Sequence, residues 1–84
     1  MTINKKDIKR IDSRILSKAK AILKHLDTAI KHSLNIDRDV ISIKVNGQYR
    51  LVYRASTMSI ARLVTHNDYN RLISYRYVGA IKWN

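Results

Sequence analysis

The sequence predicts an α+β fold: an N-terminal amphipathic helix or helical hairpin packed on a four-stranded, mainly antiparallel sheet. Three observations predict it. Apolar residues recur at three- and four-residue steps through the first third of the chain. Near residue 40 the period changes from 3.6 to 2. Asn46-Gly47 then interrupts the alternation as a hairpin turn does. With 84 residues the chain has room for one domain, divided into a helical layer over 1–34 and a sheet over 40–83. Apolar residues make up 45% of it, enough for a packed core, so global disorder is not expected.

From Thr2 to about Leu34, the positions Ile8, Ile11, Ile15, Ala19, Ile22, Leu23, Leu26, Ala29 and Ile30 form one helical stripe. Asn4 is suited to cap its start, with Asp7 three residues on as a weak capping box. Lysines and arginines fill the opposite face, which serves equally as a solvated surface or as a ridge that tracks phosphates. A single helix of this length is long for so small a domain. A break near Asp12-Ser13 or Ser17 is equally compatible, and no Gly or Pro marks it. Asn35 to Asp39 is polar and ends the helical region.

Ile41, Ile43 and Val45 then alternate with Val40, Ser42 and Lys44, and Tyr49, Leu51 and Tyr53 alternate with Arg50, Val52 and Arg54. A two-residue turn at Asn46-Gly47 would pair Ile43 with Arg50 and mix the faces. A three-residue loop, Asn46 to Gln48, pairs Ile43 with Leu51 and Ile41 with Tyr53, leaving one face wholly apolar. The other face then carries Lys44 directly across from Arg50, with Arg54 further along. Like charges opposed across two strands cost stability, and an anion held between them removes that cost.

A turn around Ala55-Ser56-Thr57 leads to a third strand, Met58 to Thr65, apolar on both sides for part of its length and carrying Arg62. His66 to Arg71 is polar and reads as a loop or a single helical turn. Ile73 to Trp83 alternates again and is expected to form the last strand, bent or bulged at Gly79.

Seventeen Lys and Arg against six Asp and Glu leave a net charge of +11. A field of that size attracts polyanions. No apolar run approaches a membrane span. The opening MTINKKDIKR lacks the apolar core of a secretion signal, so a cytoplasmic protein without a membrane partner is expected. With no cysteine, and with His25 and His32 lacking a third ligand at suitable spacing, no metal site is predicted. Two glycines cannot make a phosphate-binding loop, and no cofactor is expected. Tyrosines beside arginines (Tyr49-Arg50, Tyr53-Arg54, Tyr75-Arg76-Tyr77) offer stacking surfaces next to phosphate binders, although tyrosine is also a good strand former.

The run VNGQYRLVYRASTMSIARLVTHNDYNRLI resembles the C-terminal half of the RelE/ParE/HigB toxin superfamily, nearest the HigB-like branch at Thr65-His66-Asn67-Asp68-Tyr69. The resemblance implies a microbial-RNase-like fold, helices on a curved antiparallel sheet. It also implies metal-independent cleavage of mRNA, usually on the ribosome, and an acidic cognate antitoxin as partner. The family's opening strand could be supplied only by Met1 to Asn4. By motif position, Arg50 matches the arginine that contacts the scissile phosphate. Lys44 matches a strand lysine of RelE-like members, allowing for a hairpin loop one residue shorter. His66 and Tyr69 fall where several branches carry acid/base groups. Arg54, Arg62, Arg71 and Arg76 complete the expected RNA-binding surface. Two rivals stay open: a basic nucleic-acid-binding protein without catalysis, and a ParE-like inhibitor of gyrase on the same scaffold.

Overall fold

The computed structural model describes residues 1–75 and 81–83. In chain order the elements are β1 (Thr2–Ile3), α1 (Lys5–Arg10), α2 (Ser13–Lys24), β2 (His32–Ser33), β3 (Val40–Lys44), β4 (Tyr49–Arg54), β5 (Ile60–Thr65) and α3 (His66–Tyr75). The α+β class holds, but among the described residues the sheet has five strands in the order β1-β5-β4-β3-β2 and is mixed. β1 runs parallel to β5, with Thr2 opposite Ile60 and Ile3 opposite Ala61.

The N-terminal region is two short helices. Asn4 caps α1 by accepting from the Lys6 N–H, and Asp12 caps α2 by accepting from the Arg14 N–H. The break therefore falls at Asp12, where an aspartate offers the backbone an alternative to continued helix. Helix α2 stops at Lys24, well short of Leu34, and His32–Ser33 pairs with Ile41–Ser42 as an antiparallel edge strand. Period alone could not reveal this, because Ala29 and Ile30 continue the helical stripe by coincidence of spacing. Ile30 is in fact 78% exposed.

The β3–β4 hairpin has the predicted register. Ile43 opposes Leu51, Ile41 opposes Tyr53, and Lys44 opposes Arg50. The Asn46 side-chain oxygen accepts from the backbone N–H groups of Gln48 and Tyr49 at 2.8 and 2.9 Å, closing the three-residue loop. Alternation then sorts the side chains into two layers. Ile43, Val45, Leu51, Tyr53, Ala61 and Leu63 pack against Ile11, Leu16 and Ala19 on the α1/α2 side. Val40, Val52 and Val64 pack with Leu34, Tyr69, Ile81 and Trp83 on the opposite side.

The last predicted strand, Ile73 to Trp83, is corrected. Its first residues belong to helix α3, which begins at His66, and Ile81–Trp83 lies in no strand. Gly79 falls outside the described residues. Helix α3 forms because the Thr65 hydroxyl accepts from the Asp68 N–H at 3.1 Å, as an N-cap does.

One buried charge ties these layers together. Asp7 is fully buried, and its carboxylate accepts from Arg62 Nε at 2.8 Å, Arg10 Nη2 at 2.8 Å and the Leu63 N–H at 3.0 Å. Asp7 is thus the acceptor that joins α1 to β5, and not a capping-box partner of Asn4. Its position four residues after Ile3 and four before Ile11 places it on the inward stripe.

Candidate nucleic-acid interface

Lys44 and Arg50 project from the sheet face that α1 and α2 leave uncovered. Lys44 is exposed, whereas Arg50 is half-buried and fixed on two sides. Its Nη1 donates to the Ser42 hydroxyl at 3.0 Å, and its guanidinium carbon lies 4.7 Å from the centroid of the Tyr69 ring. Among the described residues, Arg50 Nε is buried with no hydrogen-bond partner. Ser42, fully buried on β3, was missed in the sequence because a serine between Ile41 and Ile43 reads as an ordinary outward strand position.

His66 is the first residue of α3, and its backbone N–H donates to the Gln48 carbonyl at 2.7 Å. This bond hangs the helix from the β3–β4 loop, so that Tyr69, one turn later, reaches Arg50. Arg50 lies opposite Val64 in the β4–β5 register, two residues before His66. The imidazole is exposed at the end of the sheet and makes no hydrogen bond to Arg50 or Lys44 among the described residues.

The other predicted cations are differently placed. Arg54 is paired with Asp37 at 3.1 Å and Asp39 at 3.4 Å, and lies 6.0 Å from the centroid of the Trp83 ring. Arg62 is committed to Asp7 and donates to the Lys82 carbonyl. Both are engaged by aspartate carboxylates. Arg71 is exposed on α3, beside a cleft that it lines with Lys6, Arg62 and Lys82. Arg76 lies outside the described residues. By contrast, Lys44 and Arg50 have no carboxylate within ion-pair distance among the described residues.

Asp39 also fixes the turn after β4. The Ser56 hydroxyl donates to its carboxylate at 2.6 Å and the Ser56 N–H at 2.9 Å. These bonds, the hydroxyl's first, together with Arg54, hold the Asp39 carboxyl below its ordinary 3.8. A depressed carboxylate contributes stability above its unfolded value and loses it as pH falls through the folded one. The contribution is therefore intact at neutral pH and disappears only in acid. Ser56→Ala is expected to move the Asp39 titration back up toward 3.8 in a carboxyl-carbon NMR titration. An unchanged midpoint would remove the hydroxyl as the main cause.

No helix among the described residues is long and apolar enough to cross a membrane. Among the same residues, no three His, Asp or Glu side chains converge as a metal site would require.

Comparison with known proteins gives one family match. The model of the ParE-like toxin domain matches residues 13–71. No curated protein and no solved structure matches the chain. The matched span runs from the start of α2 through β2, β3, β4 and β5 into α3, and so includes Lys44, Arg50, His66 and Tyr69. Because it takes in well over half of the sequence, the chain belongs to the family of ParE-like toxin domains, within the RelE/ParE-type toxin superfamily.

Proposed function

We propose that this toxin, one member of a toxin–antitoxin pair, is an endoribonuclease that cuts mRNA in the cytoplasm, in association with the ribosome. The observation that carries the reading is the Lys44–Arg50 pair. Two adjacent cations, Lys44 exposed and Arg50 half-buried beside Tyr69, stand on the sheet face away from α1 and α2. They have no carboxylate at ion-pair distance among the described residues, in a chain whose Arg54 and Arg62 are both paired with aspartates. A phosphodiester between them relieves their mutual repulsion and receives charge that is already in place.

The cleavage is an in-line transesterification. The ribose 2′-oxygen attacks the adjacent phosphorus and the bond from phosphorus to the 5′-oxygen breaks. A 2′,3′-cyclic phosphate and a free 5′-hydroxyl result. Arg50 and Lys44 stabilise the charge that accumulates on the phosphorane. His66 exchanges the proton of the 2′-hydroxyl or of the leaving oxygen, a contribution of roughly 10²–10⁴-fold for a positioned acid or base. Tyr69 holds the Arg50 guanidinium in place and offers its outer face to a base. Arg71 extends the basic surface along the strand.

A second reading has the ParE-like family match in its favour, because ParE-type members act on gyrase. The two separate in parallel assays of the purified protein. One uses mRNA, free and on translating ribosomes, with the cut ends mapped; the other measures supercoiling by gyrase. Cut RNA ending in cyclic phosphate is expected. Intact RNA together with blocked supercoiling would overturn the nuclease reading. The net charge of +11 suits an acidic antitoxin, whose addition is expected to abolish cleavage.

A further inference from the structure

His32 is exposed on the edge strand β2, directly opposite Ser42. Opposed residues share a face of a sheet, so His32 belongs to the side on which the Ser42 hydroxyl accepts from Arg50. Leu34 fixes the same side independently. Its N–H donates to the Val40 carbonyl, continuing the register, and its side chain is buried with Val40, Val52 and Val64 on the side away from α1 and α2. Two residues separate it from His32, so the two have the same parity.

The registers place His32 relative to the cations. One row across the sheet is His32, Ser42, Val52 and Arg62, and the next is Lys44, Arg50 and Val64. His32 is therefore one strand outside Lys44 and two residues toward one end of the sheet. His66, two residues after Val64, is one strand outside Arg50 and two residues toward the other end. With ~4.8 Å between strands and ~3.4 Å per residue, each histidine backbone is about 8 Å from that of its nearer cation. The two histidines thus flank the Lys44–Arg50 pair on opposite diagonals. His32 and Lys44 also border one cleft of about 740 Å³ at the β2/β3 edge, together with Lys18. No carboxylate lines that cleft among the described residues, and the His32 ring makes no hydrogen bond among them.

In-line cleavage needs proton transfer on both sides of the phosphorus, because the attacking and departing oxygens lie opposite one another. A single imidazole on one side serves only one of them. We propose that His32 is the second proton-transfer residue of the site, the partner of His66 across the Lys44–Arg50 pair. One imidazole takes the 2′-hydroxyl proton as that oxygen bonds to phosphorus. The other, protonated, gives its proton to the 5′-oxygen as the bond from phosphorus breaks. The net change is one proton moved from nucleophile to leaving group, so the step balances without a further reactant. The inference rests on the nuclease reading and completes its acid–base pair.

Kinetics test the role. His32→Ala is expected to lower kcat for RNA cleavage by about 10²–10⁴-fold. KM should change little, since the cations that hold the phosphate remain, and so should the melting temperature, since the side chain is exposed. His25→Ala removes an exposed histidine at the C-terminal end of α2 and should cut at the wild-type rate. A substrate with sulfur in place of the 5′-oxygen has a leaving group that needs no acid. On it, one of His32→Ala and His66→Ala should regain the wild-type rate and the other should stay slow. His32→Ala cutting RNA within about threefold of wild type, a loss confined to KM, or neither or both variants recovering on the sulfur substrate would overturn the proposal.

A binding measurement separates this failure from failure of the nuclease reading. Inorganic phosphate is titrated into the intact chain and followed by NMR of the histidine rings. It is expected to shift His32 and His66, to leave His25 unmoved, and to shift none of them in Arg50→Ala. Movement of His66 without His32 would overturn the proposal even in a protein that cuts RNA. Movement of both, with every RNA left intact, would sink the nuclease reading and the proton transfer with it, leaving His32 only as a neighbour of the bound phosphate.

Discussion

Replacing Asp7 with alanine is expected to lower folding stability by about 3–5 kcal/mol, the usual cost of removing one partner from a buried ion pair. A domain of this length has roughly 4–13 kcal/mol in total, so the loss takes from about a quarter of that stability to all of it. The magnitude follows from what the carboxylate holds. It is wholly inaccessible to water and receives hydrogen bonds from Arg62, Arg10 and the Leu63 backbone. Without it, a guanidinium only 19% exposed keeps just its bond to the Lys82 carbonyl among the described residues, and a strand N–H loses its acceptor. Urea unfolding followed by circular dichroism measures the loss. The double variant Asp7→Leu/Arg62→Met should recover part of it, since well-packed apolar side chains often substitute for a buried pair without net cost. A single variant within about 1 kcal/mol of wild type would mean that the cluster holds nothing together.

The second large effect is functional. Arg50→Ala is expected to reduce RNA cleavage by about 10²–10³-fold, the usual range when a preorganised charge-stabilising donor is removed. Its effect on stability should be smaller. The variant leaves the buried Ser42 hydroxyl without its Arg50 donor and removes the stack on Tyr69, together costing about 1–3 kcal/mol. Arg54→Ala is the matched control. It removes an arginine of the same strand and face whose partners are Asp37, Asp39 and Trp83, so it should weaken the fold without touching the cut. Arg50→Lys should recover little, because an ammonium cannot both donate to Ser42 and lie flat against a phenol ring. Cleavage by Arg50→Ala within threefold of wild type, at matched folded fraction, would place the phosphate grip elsewhere.

The central hairpin was readable from sequence because side-chain parity is unforgiving. A loop of two residues buries Arg50 among isoleucines, and a loop of three does not. Lys44 and Arg50 followed from the same count. The N-terminal strand was not readable in that way. Two residues cannot display a period, and the pairing of Thr2 with Ile60 depends on a partner 58 positions away. A separation of 55 positions hid the role of Arg62, which looked like an outward cation until Asp7 was brought beneath it. Helix α3 was misread in its second half because Ile73, Tyr75 and Tyr77 alternate, although a threonine hydroxyl had already started a helix at residue 66. For the site, Arg50 and Tyr69 were named separately in the sequence, and their contact was visible only once α3 was hung from the hairpin loop. Ser42 gave no signal at all.

The parallel partnership of the first strand with the fifth has a consequence for synthesis. The opening residues leave the ribosomal tunnel first, yet the strand they join is made last among the five. Until residue 61 emerges, Thr2 and Ile3 have no neighbour to dock on, and the carboxylate of Asp7 must remain in solvent awaiting Arg62. The sheet of a nascent chain therefore stays incomplete until β5 has emerged, since long-range pairing is reached only after the intervening loop has been closed. The sheet of this toxin therefore closes only once its fifth strand has been made, which leaves the antitoxin that the family implies the time of that synthesis in which to be present.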